Sequence, residues 1–260
     1  MPDAPLVHLE VAGGRATITL DSPGNRNALS RRLLGDLAQA LEDASSDASV
    51  RVVVLTGAGS VFCSGADLKE AGDGGRPGVG GLPTILRLIM EGDRPVIARV
   101  NGAARAGGLG LLAACDLALA PASATFAFSE VRIGVVPAVI AVPCLRRMPL
   151  QAARRLMLTG RTFGAVEAAQ AGLLDAATSD DGLDAAVDAA AEALLLGAPD
   201  ALARTRRMLD DLTGGGRESL AADLGRMQEL SAERFGSDEA AEGIRAFLER
   251  RRPAWVPQAD

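Results

Sequence analysis

Val100–Asp116 reads VNGAARAGGLGLLAACD, and the rest of the chain is organised around this stretch. It continues an apolar, β-branched run, Pro95–Val100, and opens into a segment of small apolar residues. That order predicts a strand, a turn and then a buried helix. Gly107 and Gly108 stand at the turn-to-helix junction, where the missing side chains let a ligand approach the backbone closely. The first N–H groups of a helix have no intrahelical acceptor, and the helix dipole makes that end positive. A ligand oxygen that gains negative charge during a reaction suits such a place. Alone, a GG pair more often serves tight strand–helix packing, since short glycine motifs recur by chance. A second glycine-bearing junction upstream and a glutamate downstream give this pair its weight.

Upstream, Arg51–Thr56 (RVVVLT) predicts a buried strand, parallel to Pro95–Val100 and to Asp116–Ala120. Helical segments between the strands give a β-α-β layout with right-handed crossovers. After Thr56 comes GAGSVFCSGADLKE. A dinucleotide-binding GxGxxG needs a third glycine where Phe62 stands, and no phosphate-binding GxxxxGK[ST] occurs. Gly65-Ala66-Asp67 instead begins a short helix, so Ala66 offers a second backbone N–H. Downstream, Glu130 follows a short apolar strand, Thr125–Phe128. In that setting its carboxyl is desolvated, its pKa rises, and it exchanges protons near neutral pH. The competing reading is a surface glutamate paired with Arg132 or Arg146.

Elsewhere the pattern is regular. Leu6–Val11 and Ala16–Leu20 alternate around Gly13-Gly14, which predicts a β-hairpin. Ser30 is the expected N-cap of an amphipathic helix, Arg31–Ala48, with Leu33, Leu37 and Leu41 on one face. Glu70–Leu82 (EAGDGGRPGVGGL) reads as a mobile loop, either a plain linker or a flap beside the ligand site. From Gln151 onward the chain reads as almost entirely helical: Leu183–Leu196, Leu202–Leu212, Ser219–Phe235 and Asp238–Arg251, the last with Ala241, Ile244 and Phe247 on one stripe.

Composition excludes several classes. A formal net charge of −6 and 3% aromatic residues speak against a nucleic-acid binder. Cys63, Cys115 and Cys144 are unevenly spaced without nearby histidines, so neither a metal site nor a disulfide framework is expected. The start of the chain has no secretory pattern and no apolar run is long enough to span a bilayer, so a cytoplasmic protein without membrane partners is expected.

Several ordered segments resemble the crotonase family, the enoyl-CoA hydratase and isomerase superfamily. They are RNALS, VVVLTGAGSVFCSGADLKE (52–70), RPVIARVNGAARAGGLGLLAACDLALA (94–120), FAFSEVRIGVVPA (126–138), LMLTGRTFGAVEAAQAGLL (156–174) and GIRAFLERRRPAW (243–255). The resemblance implies an α/β fold, a crotonase-type spiral of ββα turns with a helical C-terminal region. It divides the chain into a spiral core with the active site, residues 1–197, and a helical trimerisation region, residues 198–260. A homotrimer or dimer of trimers follows. The implied substrate is an acyl-CoA, with no cofactor beyond the coenzyme A of the substrate and no metal.

Matched position by position, the family's two enolate-stabilising N–H groups fall on Ala66 and Gly107, and its acid/base glutamate falls on Glu130. A second glutamate of the best-studied hydratases matches Gly110 and is absent. Binding of substrate and coenzyme A is implied for Arg26, Ala28, Ser64, Asp67, Leu68, Lys69, Gly108 and Gly110, and for Phe247 and Arg250 from a neighbouring subunit. A dienoyl-CoA isomerase or dehalogenase of this family needs an aspartate where Ala138 stands, and a serine hydrolase needs a histidine near Ser64, whereas His8 is the sole histidine. A 2-enoyl-CoA hydratase is therefore expected, with a 3,2-enoyl-CoA isomerase using the single glutamate, or a non-catalytic acyl-CoA binder, as alternatives.

Overall fold

A computed structural model describes residues 4–72, 81–213 and 216–257. β1 (Val7–Ala12) and β2 (Arg15–Leu20) form the antiparallel hairpin. Its turn residues Gly13 and Gly14 both have positive φ, 58° and 83°, as the two-residue hairpin turn requires. α1 (Arg31–Ser46) follows, its first turn capped by Ser30, whose Oγ accepts a hydrogen bond from the Leu33 N–H at 3.2 Å.

Three times in succession a longer strand then turns a corner into a short one. β3 (Val52–Gly57) leads to β4 (Val61–Cys63), β5 (Val96–Arg99) to β6 (Ala103–Arg105), and β7 (Leu117–Pro121) to β8 (Thr125–Ala127). Each short strand ends in a helix or turn. These are α2 (Leu68–Gly72) with α3 (Leu82–Glu91), then α4 (Gly107–Ala114), then a 3-10 turn over Glu130–Ile133. The long strands, with β10 (Ala176–Thr178), build a six-stranded sheet in the order β1-β2-β3-β5-β7-β10, parallel from β2 onward. The short strands, with β9 (Phe163–Gly164), build a second sheet in the order β4-β6-β8-β9.

Both faces of the central strands β3, β5 and β7 are covered, which is why these, unlike the alternating β2, are apolar without alternation. Val53, Leu55, Ala98 and Ala118 pack with Leu33 and Leu37 of α1. On the other side Val52, Val54, Ile97 and Leu119 meet Leu183, Val187 and Ala191 of a later helix. The remaining elements are α5 (Ala138–Arg147), α6 (Leu150–Thr159), α7 (Ala165–Gln170), α8 (Leu183–Leu195), α9 (Pro199–Leu212), α10 (Arg217–Phe235) and α11 (Asp238–Leu248). No helix among the described residues is long and apolar enough to cross a membrane.

Three expectations change in detail. The loop anticipated over Glu70–Leu82 is shorter, because Glu70 belongs to α2 and buried Leu82 opens α3; residues 73–80 lie outside the described residues. The tail beyond residue 197 shares the main core, since Leu220 and Leu224 of α10 pack into it. On α11 the buried residues are Ala240, Gly243, Ile244 and Ala246, whereas Ala241 is exposed. The reason is close packing on the Glu130 turn: a Cβ on Gly243 would lie 2.4 Å from the carbonyl carbon of Ile133.

Candidate active site

The second sheet sets β4, β6 and β8 side by side and parallel. The residues that follow these strands, Ser64–Ala66, Ala106–Gly107 and Ser129–Glu130, are therefore brought to one place. Gly65 has φ +88°, and a Cβ there would lie 2.8 Å from the Ala106 Cβ and 3.3 Å from the Gly107 nitrogen. Only glycine meets both demands. Ala106, at the N-cap of α4, has φ 46° and ψ −117°, a conformation that L-residues rarely adopt. Its N–H donates to the Ala127 carbonyl at 3.1 Å, which ties this corner to β8. Strain held by surrounding contacts is a mark of functional corners.

Gly107 opens α4, so its N–H has no intrahelical acceptor. Ala66 makes an isolated parallel bridge to Leu29, in which the Leu29 N–H donates to the Gly65 carbonyl. Neither the Ala66 nor the Gly107 N–H finds an acceptor among the described residues. Both line a cavity of ≈ 350 Å³. Two free amides on adjacent corners of a cavity wall form a receptor for an oxygen that becomes negative.

Glu130 lines the same cavity and is 7% exposed. Its Oε2 has no hydrogen-bond partner, and the residue makes no ion pair among the described residues. Burial pushes its pKa up to about 7, only partly offset by a backbone hydrogen bond. The surface-pair reading fails: the Arg132 guanidinium donates to the Thr159 carbonyl at 2.8 Å, and Arg146 faces Asp223 at 3.9 Å. An isolated carboxyl that titrates near neutrality is fitted to take up and return a proton.

Asn27 holds the first corner, and sequence reasoning passed it by. Fully buried, with φ 54°, it donates through Nδ2 to the carbonyls of Ala58, Val61 and Phe62 at 3.0, 2.8 and 3.3 Å. Its Oδ1 accepts from the Ser22 N–H at 2.8 Å. The neighbouring Arg26 carbonyl accepts from the Ser64 N–H at 3.1 Å. The loop thus frames the segment that carries Ala66.

Arg26, Ser64 and Leu68 line the cavity as expected positions, together with Ala66, Gly107 and Glu130. Phe247, which the resemblance implied from a neighbouring subunit, also lines the cavity of its own chain. The other positions lie outside the lining. Ala28 is buried beneath the Asn27 loop, and Asp67 accepts from the Lys69 N–H at 3.0 Å on the rim. Lys69 and Arg250 are exposed. Gly108 and Gly110 serve packing: a Cβ on the former would lie 2.6 Å from the Cys63 carbonyl, on the latter 2.6 Å from Ile140 Cγ2. Glycine at 110 thus lets α4 lie against α5. Sequence reasoning weighed Arg132 only as a partner for Glu130 and did not reach Arg105, Ser231 and Phe235; all four also line the cavity. The last two carried a faint signal, a serine interrupting the stripe Leu220, Leu224, Phe235 of α10.

A family described as enoyl-CoA hydratase/isomerase matches residues 10–258. The chain is 34% identical over 258 residues to an enoyl-CoA hydratase of Mycobacterium tuberculosis, covering 94% of each. It is 31% identical to a mevalonyl-coenzyme A hydratase of Aspergillus fumigatus, over 92% of this chain and 90% of that one. The crystal structure of an enoyl-CoA hydratase from Mycobacterium avium superposes with a TM-score of 0.86 at 42% identity, covering 98% of this chain and 100% of the other. Corner geometry, buried glutamate and these likenesses agree, and the chain belongs to the enoyl-CoA hydratase/isomerase family.

Proposed function

We propose that the protein is an enoyl-CoA hydratase that adds water across the 2,3 double bond of an acyl-CoA thioester. The observation that carries this reading is the meeting of two unpaired N–H groups, Ala66 and Gly107, with an unpaired carboxyl titrating near 7 in one apolar cavity. The thioester oxygen would sit on the two amides. Glu130 as carboxylate takes a proton from water while the water oxygen bonds to C3 and the π electrons move onto the thioester oxygen. The enolate then collapses, and the same carboxyl returns the proton to C2. One proton leaves the carboxyl for each one it accepts, so a single glutamate suffices and Gly110 is no obstacle. The relatives named hydratases favour this direction over double-bond migration.

Coenzyme A phosphates require cations. Arg26, Arg105 and Arg132 line the cavity of this acidic chain and are the groups we assign to them. We further propose a homotrimer or a dimer of trimers. Met208, Leu209 and Leu212 of α9 are 49, 54 and 77% exposed in the single chain, a stripe suited to a neighbouring copy. The deciding experiment offers crotonyl-CoA and a branched enoyl-CoA to the pure protein and follows loss of the conjugated thioester. Conversion of a 3-enoyl-CoA without hydration of either substrate overturns the reading in favour of an isomerase.

A further inference from the structure

Helix α10 turns one stripe inward. Leu220 and Leu224 are buried in the main core, Met227 packs partly against it, and Phe235 reaches the cavity. Ser231 occupies that stripe one turn before Phe235, where the pattern calls for an apolar residue. It is 4% exposed and lines the cavity. Helical serines often satisfy themselves by bonding the carbonyl four residues back, as Ser46 does to Glu42 at 2.8 Å. Ser231 does not: its hydroxyl has no hydrogen-bond partner among the described residues. Phe235, Val135 and Ile133, which line the same cavity, have apolar side chains.

The hydroxyl opens onto the cavity, where water can partner it, and a plain alkyl chain packed against it would displace that water and leave it unpaired. Sites built to hydrogen-bond a substrate oxygen discriminate against the analogue that lacks it, because the protein group is then left unpaired. We propose that Ser231 is a specificity-determining residue, and that the acyl group of the substrate carries a hydroxyl or carbonyl oxygen beyond the reacting double bond. This rests on the acyl-CoA reading above and narrows the substrate class. The Ala66 and Gly107 corners take the thioester oxygen, so the oxygen offered to Ser231, which stands on a different element of the wall, is a second one.

The test uses 2-hexenoyl-CoA and its 4-hydroxy and 5-hydroxy analogues with the full-length protein and its Ser231→Ala and Ser231→Thr variants. For the wild type, kcat/KM is expected to favour at least one hydroxylated analogue. Ser231→Ala should shift that ratio toward the plain chain by about 10-fold or more, and Ser231→Thr, which keeps the hydroxyl, should retain the preference. Thermal unfolding checks that each variant is folded. An unchanged ratio in Ser231→Ala overturns the proposal. So does an equal loss on all three substrates, which would assign Ser231 to packing or to the attacking water. Affinities of the saturated analogues, hexanoyl-CoA and 5-hydroxyhexanoyl-CoA, are measured by calorimetry in parallel. No hydration with a Ser231-dependent affinity ratio refutes the hydratase reading alone, whereas an affinity ratio indifferent to Ser231 refutes the inference.

Discussion

Replacing Glu130 by glutamine should stabilise the fold at alkaline pH while destroying catalysis. The carboxyl titrates near 7 in the folded chain, against 4.5 for an ordinary glutamate, because burial disfavours its charge. Below pH 4.5 both folded and unfolded chains hold the proton, and the residue costs nothing. Between these two values the unfolded chain releases the proton and the folded chain keeps it, so stability falls as pH rises. Above about 7 the loss is complete and constant. Each pH unit of the gap is worth about 1.4 kcal/mol, so the ionised carboxylate costs the fold about 3 kcal/mol. Glutamine has no proton to lose. Any fixed cost of burying its amide is the same at every pH, so the informative quantity is the pH dependence of the difference between variant and wild type. Urea unfolding followed by circular dichroism at about pH 5 and pH 8 should show the advantage of Glu130→Gln growing by about 2–3 kcal/mol, since part of the cost is already present at pH 5. Turnover should meanwhile fall by ~10²–10⁴, with acyl-CoA affinity within a few-fold of the wild type. A stability difference that is flat with pH would refute the desolvated-carboxyl argument, whatever happens to activity.

Gly107→Pro removes one amide donor and should cost about 10²–10³ in turnover, while Gly107→Ala keeps the N–H and should lose far less, since the added Cβ meets the flexible Leu29 side chain. Circular dichroism on both separates donor loss from misfolding. Gly110→Ala should destabilise by about 1–3 kcal/mol through contact with Ile140, with relief in the Ile140→Ala background; additive effects in that double-mutant cycle would contradict the packing account. Gly110→Glu should then lose activity on short and branched substrates alike. Gly243→Ala should lower turnover by displacing the Glu130 turn, and an unaffected kcat would show that α11 does not position that turn. Sedimentation at micromolar concentration should return three or six copies; a monomer mass would dispose of the proposed assembly.

The features legible in the sequence were those written locally. A hairpin at Gly13-Gly14, a cap at Ser30 and a continuous apolar run at Val52–Leu55 each declare themselves within a few residues. The two amide corners were legible for the same reason, since a glycine with no room for a side chain marks them. What stayed hidden depends on long-range approach. Nothing near Gly110 announces that Ile140 will lie against it, and nothing near Asn27 announces three acceptor carbonyls some thirty residues on. Nothing near Gly243 or Gly134 announces that they let α11 close on the Glu130 turn and bring Phe247 to the cavity of its own chain. The short strands β6 and β9 have three and two residues, too few for a periodicity to show.

That closing helix has a consequence in time. The cavity wall runs from Arg26 to Phe247, so its pieces are made well apart during translation. The spiral corners can form while the chain is still growing, but the turn bearing Glu130 meets its backing helix only after Gly243 has emerged. A nascent or C-terminally nicked chain therefore holds its amides and its carboxyl without the wall that keeps water away from them, and a carboxyl left wet titrates like any other glutamate. Proton exchange near neutrality thus waits on the arrival of α11.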